Sequence, residues 1–259
     1  YPDQQEYKMR EEAFNAQLKE VVEHNKQIYS TFRLGINEYT DWTQDELKAM
    51  RGLRKNRAKT GAPDGSKYSN RGSYKTTPDS WDWRDEGDYV SPPKNQGHCG
   101  SCWAFAATAT VESAVAIAEG FLTILAPQPM VSCAKNPRHC GGTGGCDGAT
   151  AQIGFEFVMN ASLTYSEVVA YESFWGSTGE CSSTMQIRYG AYPVATISGY
   201  ITNPTNDYIA LMEALVEYGP QAISVDASHW SPYESGIADF CDPSENIDID
   251  HAVVLVLWR

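Results

Sequence analysis

The sequence predicts an α+β chain with a helical leader, a helical half and a β-rich half, and a cleft between the two halves. Three observations carry that expectation. Residues 3–27 hold a stripe at helical spacing, and residues 102–119 are an Ala-rich, helix-forming run that opens on a cysteine. The last third gathers strand formers and ends in the apolar run His251-Ala252-Val253-Val254-Leu255-Val256-Leu257, which reads as a buried strand. A chain of 259 residues is long enough for one or two domains with a substantial core.

In the leader, Glu6, Arg10, Phe14, Gln17, Val21 and Asn25 follow steps of four, four, three, four and four. Those steps keep all six on one side of a helix. Glu6 precedes Arg10 by one turn, the favourable order for an ion pair. Further on, Gly35, Asn37, Tyr39 and Asp41 alternate and would share one face of a strand. Thr43-Gln44-Asp45-Glu46 has the spacing of a capping box and opens a short helix through about Met50. Residues 51–76 are polar and basic, and read as a linker with little regular structure.

In the body, the helix of residues 102–119 is closed by Gly120, placed as a C′ glycine. Residues 133–146 form a glycine-rich loop, which suits close approach of backbone to a ligand. A helix follows over residues 151–160. Residues 192–200 are rich in strand formers, residues 205–218 read as a helix stopped by Gly219-Pro220, and residues 221–227 read as a strand.

Charge divides the chain. Residues 1–76 carry a net +3 and residues 77–259 a net −16. So acidic a body argues against nucleic acid as a partner, and a basic leader on it suggests mutual attraction that acid would weaken. No run reaches the length of a membrane span. Seven cysteines point to an oxidising compartment with one thiol left over. Asn160-Ala161-Ser162 is a glycosylation sequon that fits secretory passage, and the expected location is lysosome, vacuole or outside the cell.

The chemistry centres on Gln96-Gly97-His98-Cys99-Gly100-Ser101-Cys102-Trp103. Cys102 opens a helix, where free backbone N–H groups and the helix dipole favour a thiolate, so it is the candidate nucleophile. His251 is the candidate base and Gln96 the candidate donor to an oxyanion. A thioredoxin-type redox pair is the first alternative for Cys99-x-x-Cys102, but the proline-broken Val90-Ser91-Pro92-Pro93-Lys94 is a poor βαβ context. A zinc site with Cys133, His139, Cys140 and Cys146 is the second, but the spacings are irregular. No metal or other cofactor is expected. His24, His98 and His139 lack a supporting pattern, whereas His229 follows a strand expected to line the cleft.

Cys99-Gly100-Ser101-Cys102-Trp103 matches the C-G-[SA]-C-[WY] signature, and His251 lies 149 residues beyond Cys102. With Asp250-His251-Ala252 and Pro78-Asp79-Ser80-Trp81-Asp82-Trp83-Arg84, the chain resembles the papain-like cysteine peptidases of cathepsin-L type. The leader stripe resembles that family's E-x3-R-x3-F-x2-N-x3-I-x3-N propeptide motif, with Gln17 and Val21 as departures, and Gly35 to Asp41 resembles G-x-N-x-F-x-D. The resemblance implies a propeptide over residues 1–76 and a peptidase domain over residues 77–259, with a helical left lobe and a β-barrel-like right lobe.

The resemblance further implies an endopeptidase proenzyme, monomeric, acting on proteins or peptides and inhibited by its own leader, which crosses the cleft in reverse. It pairs Cys99 with Cys146 and Cys133 with Cys181. It puts Gly148, Ala149, Asp250 and the small residues Thr150, Ala151, Ser224 and Ala252 around the substrate. Cys146-Asp147-Gly148-Ala149 departs from the family's C-N-G-G, and Ala149 would be strained at positive φ. The family's third catalytic residue, an Asn in an N-S-W segment, has no match after His251; by the same resemblance the partner of Cys241 would lie beyond residue 259, and Cys140 has no family partner. The expected reading is a sequence truncated at its C-terminus, lacking closing strands. The alternative is a short, inactive homologue acting as a binding or inhibitory protein.

Overall fold

The computed structural model describes residues 3–53, 77–240, 244 and 247–259. Most of the expected 51–76 linker, and Cys241, lie outside them.

Helix α1 (Gln4–Asn25) starts where the Asp3 carboxylate accepts the Glu6 N–H at 2.6 Å, a side-chain N-cap. Val21 buries against Phe32 and Leu34 of β1 (Phe32–Leu34). Asn25 clamps the same strand, donating to Leu34 O at 2.7 Å and accepting its N–H at 3.1 Å. Helix α2 (Gln44–Met50) carries the complete capping box of Thr43 and Glu46. Arg10 reaches from α1 to Glu46 with two bonds of 2.7 and 2.6 Å, so the stripe's arginine ties the two leader helices together.

The strand expected across Gly35 to Asp41 is not formed, and β1 stops at Leu34. The Asn37 carboxamide accepts the Tyr39 N–H at 2.9 Å, and Thr40 Oγ1 accepts the Asn37 N–H at 2.8 Å. These local bonds turn the chain and compete successfully with a ladder. Asn37 also donates to Ser231 O at 2.6 Å, so the turn fastens the leader to the body.

In the body, α3 (Cys102–Glu119) is the central helix, with Trp103, Ala104, Ala107 and Val111 fully buried among Leu125, Met130, Ile153, Val158 and Leu163. Its alanines let α5 (Ala151–Asn160) close in: a Cβ built on Gly154 would lie 2.6 Å from Ala107 Cβ. Gly120 ends α3 at φ 82°, the left-handed conformation glycine adopts without penalty. Inside this half, Glu112 is wholly buried, paired with Lys94 at 2.5 Å and accepting the Leu125 N–H at 2.7 Å.

Two helices were not anticipated, α4 (Gln128–Cys133) and α6 (Ser183–Ala191); Ser182 caps the second through the Met185 N–H. No strand forms over residues 192–200, where a single bridge joins Leu163 to Ala195. Pro193 has no N–H to give a ladder, which outweighs the β-formers around it. Helix α7 (Tyr208–Tyr218) is capped by Asp207 and is shorter than the 205–218 expected.

The β half consists of antiparallel pairs and not a closed barrel among the described residues. The central pair is β3 (Gln221–Val225) with β5 (His251–Leu255), in a register that sets Val225 opposite His251 and Ser224 opposite Ala252. β2 (Trp81–Asp82) pairs with β6 (Leu257–Trp258). β4 (Tyr233–Gly236) pairs with β1, so the leader adds a strand to the body.

Candidate active site

Cys102 is the first residue of α3, and Ser101 before it gives the helix no side-chain cap. The Ser101 hydroxyl is bonded instead to Tyr171 Oη at 2.8 Å, and Tyr171 donates to Gln96 O at 2.8 Å. This chain of bonds fixes the loop that carries Gln96. Burial pushes the Tyr171 phenol up to about 12.

β5 starts at His251, and Ala252 after it packs against Cys102 and Ala106. The imidazole therefore belongs to the β half and the sulfur to the helical half, with their walls in contact. His251 Nδ1 is buried and meets no hydrogen-bond partner among the described residues. Trp230 stands edge-on to the ring at 6.5 Å.

The leader fills the space over these groups. The Gln96 carboxamide donates to Met50 O at 2.7 Å and to Cys99 O at 2.7 Å. Arg51 is 9% exposed; its Nε lies 2.8 Å from Asp250 Oδ2 as an ion pair, and its Nη1 donates to Ala227 O at 3.2 Å. The Leu53 N–H is given to Asp250 O at 3.0 Å. Between them Gly52 passes where no side chain fits. A Cβ there would lie 1.9 Å from Gly100 O, and one on Gly148 would lie 1.9 Å from Gly52 O.

This occupancy sets the protonation states. The backbone N–H groups of Ala252, Gly52 and Trp103 favour the Cys102 thiolate, but burial outweighs them, and with the charge of Asp250 the thiol is pushed up. That overturns the expectation that the helix terminus alone would ease ionisation. Cys102 is 1% exposed, and desolvation of an anion exceeds the pull of the N–H groups. His251 is lowered to about 4, first by burial and then by the Arg51 guanidinium. Both partners are held neutral under the leader.

The substrate-binding candidates divide. Gly148, Asp250 and Ala252 surround the leader or Cys102, as described. Ala149 is buried in the helical core and is not among the residues at positive φ, so the strain raised for it does not arise. Thr150 precedes α5, and its buried hydroxyl has no partner among the described residues. Ala151 and Ser224 line a cavity of about 870 Å³ beside the cleft, shared with Val111, Phe155, Tyr200 and Ala222.

Disulfides join Cys99 to Cys146 and Cys133 to Cys181, and Cys102 is a free thiol. Asn160, the sequon residue, is exposed and donates to Glu156 O at 2.7 Å. No cluster of metal-ligating side chains occurs among the described residues. His98, set aside in the sequence, stacks on two indoles, Trp42 of the leader at 4.4 Å and Trp175 at 5.8 Å.

The resemblance put the segment from residue 51 onward in the cleft, but sequence reasoning missed Met50 there and missed the individual contacts of Arg51 and Gly52. The available signal was a glycine between two bulky residues just where the α2 pattern ends.

Comparison with known proteins gives a consistent result. The papain family cysteine protease domain matches residues 77–259, and the cathepsin propeptide inhibitor domain matches residues 1–47. Pro-cathepsin H of Bos taurus is 33% identical over 256 residues, covering 97% of this chain and 71% of its own. Cysteine protease 1 of Oryza sativa is 35% identical over 257 residues; the chain spans about half of that relative, 49%. Among solved structures, digestive procathepsin L 3 of Tenebrio molitor superposes with a TM-score of 0.77 at 27% identity, covering 99% of this chain and 79% of that one. The recombinant stem bromelain precursor gives 0.77 at 31% identity, covering 99% and 77%.

Proposed function

The chain belongs to the papain family of cysteine proteases, and from that premise we propose that it is the proenzyme of a cysteine endopeptidase, held inactive by its own leader. The carrying observation is the leader's path: Met50 O on the Gln96 carboxamide, Arg51 on Asp250, and Gly52 over Cys102.

In the freed enzyme, His251 takes the Cys102 proton, giving a thiolate–imidazolium pair. The thiolate attacks a peptide carbonyl, and the oxyanion is held by the Gln96 carboxamide and the Cys102 backbone N–H. His251 then protonates the leaving amine, and water, deprotonated by the same imidazole, hydrolyses the thioester. The amine half of a substrate must face His251. The acyl half takes the wall of Gly148, whose backbone pairs with it as an added strand. The leader runs from Met50 beside Gln96, past Arg51, to Leu53 against Gly141. It therefore crosses from the amine side to the acyl side, opposite to a substrate, and offers no bond in line for attack.

The boundary between leader and peptidase falls near residue 76. Ala151, Ser224 and the neighbouring small residues admit a bulky apolar side chain on the acyl side. The disulfides and the exposed sequon residue favour a lysosomal, vacuolar or secreted glycoprotein, and the family reading favours a monomer. The test is mass-spectrometric labelling of the full chain with an epoxide thiol reagent, together with hydrolysis of a fluorogenic peptide. Labelling at Cys102 that rises when the leader is released, and is lost with hydrolysis in Cys102→Ser, supports the reading. A Cys102→Ser protein that still cleaves peptide refutes it.

A further inference from the structure

We propose that the subsite on the amine side of the cut bond selects a basic side chain, with Asp250 as its counter-ion, and that Arg51 is the built-in occupant showing which chemistry fits. This inference rests on the peptidase reading above and deepens it.

The site is constructed around the guanidinium and does not merely tolerate it. Asp250 Oδ2 lies 2.8 Å from Arg51 Nε as an ion pair, without the alignment of a hydrogen bond, while Oδ1 of the same carboxylate is fixed by the Ala227 N–H at 3.0 Å. The Ala227 carbonyl accepts Arg51 Nη1 at 3.2 Å. One short turn thus orients the carboxylate with its N–H and supplies a second acceptor with its C=O. The cation is met by the charge of the carboxylate and by a hydrogen bond to the carbonyl, a combination a neutral side chain cannot match. Two more carboxylates stand close behind: Asp226 Oδ2 accepts the Asp248 N–H at 2.8 Å, and both residues flank this turn in sequence or across the sheet. Arg51 is nearly closed off from water, so the subsite holds a desolvated cation in place and not a side chain lying at its rim.

The position is on the amine side because Arg51 precedes Gly52, which covers Cys102, on a segment that runs opposite to a substrate. Its guanidinium is also close enough to His251 to act on the imidazole's charge. A substrate residue just beyond the cut bond meets the same imidazole when the amine departs. No acidic side chain can take this place without facing Asp250, so the subsite rejects Asp and Glu as firmly as it accepts Arg and Lys.

The experiment has two arms. In the intact full chain, epoxide labelling of Cys102 is compared for Arg51, Arg51→Lys, Arg51→Gln and Arg51→Glu, each with Asp250 and with Asp250→Asn. Labelling at least tenfold faster for Arg51→Gln and Arg51→Glu than for Arg51→Lys, a difference abolished by Asp250→Asn, supports the proposal. Equal rates across the series overturn it. In the second arm, the chain freed of its leader is given peptides differing only in the residue after the cut bond: Arg, Lys, citrulline, Ala or Asp. A kcat/KM for Arg and Lys at least tenfold above citrulline supports it, and a flat series overturns it. If the first arm discriminates and no peptide is cut, the cation subsite stands and the peptidase reading falls.

Discussion

Glu46→Gln isolates the bond that holds the leader helices together. Glu46 accepts Arg10 through both oxygens at 2.7 and 2.6 Å, and Oε2 also accepts the Thr43 N–H at 2.8 Å. Burial opposes its ionisation, yet the Arg10 guanidinium and the Thr43 donors hold it down at about 2, from an ordinary value of 4.5. A gap of that size corresponds to roughly 3 kcal/mol at 1.36 kcal/mol per unit. A third of the Glu46 side chain is exposed, 33%, so water screens the pair and about 1–2 kcal/mol is the realistic share. Glutamine keeps an acceptor for the capping box and loses the charge and one of the Arg10 bonds. The folded value lies below the unfolded one, so this stability is present above about pH 4.5 and drains away as pH falls toward about 2. Hydrogen exchange followed by mass spectrometry on α1 reads it directly. Glu46→Gln lowers protection by about 5- to 30-fold at about pH 6, and the gap shrinks by more than half by about pH 3. Equal protection at pH 6, or a gap unchanged by acid, refutes the reasoning.

Three further outcomes follow from the same geometry. Gly52→Ala drives a Cβ to 1.9 Å from Gly100 O, a cost of about 1–3 kcal/mol, so Cys102 in the full chain labels about tenfold faster or more. Lys94→Met leaves the wholly buried Glu112 carboxylate without its cation and lowers stability to urea by about 3–5 kcal/mol, whereas Glu112→Gln keeps the Leu125 bond and costs less. In nitrogen-15 NMR of the full chain, the His251 ring titrates near 4, and Arg51→Gln moves it upward. Because the folded imidazole binds its proton more weakly than the unfolded one, the leader-bound state loses stability as pH falls from about 6.5 toward about 4, by at most ~3 kcal/mol. His251 and Glu46 therefore weaken the leader-bound state in the same direction on acidification.

The elements legible from sequence were those with strong local signals. The Thr43 capping box, the Gly120 stop and the alanine run of α3 each act within a few residues, and each formed where the pattern put it. The segment from Gly35 to Asp41 misled because alternation cannot reveal that Asn37 satisfies nearby backbone with its own side chain. Residues 192–200 misled because composition averages over Pro193, whose missing N–H decides the matter. At the site, Cys102, Gln96 and His251 carried motif signals, whereas the role of Arg51 depends on Asp250, a residue 199 positions away that only the fold brings near. The state of the thiol was likewise out of reach, since a helix terminus is a local feature and its burial under Gly52 is not.

The ring of His98 stacks on the indoles of both Trp42 and Trp175, so it links a fluorophore of the leader to one of the body. One indole departs with the leader and the other stays, so the two fluorophores lose a shared contact at the moment the cleft opens. The chain has seven tryptophans, so the emission change lost in Trp42→Phe is the part that follows activation, with no dye attached and no substrate consumed.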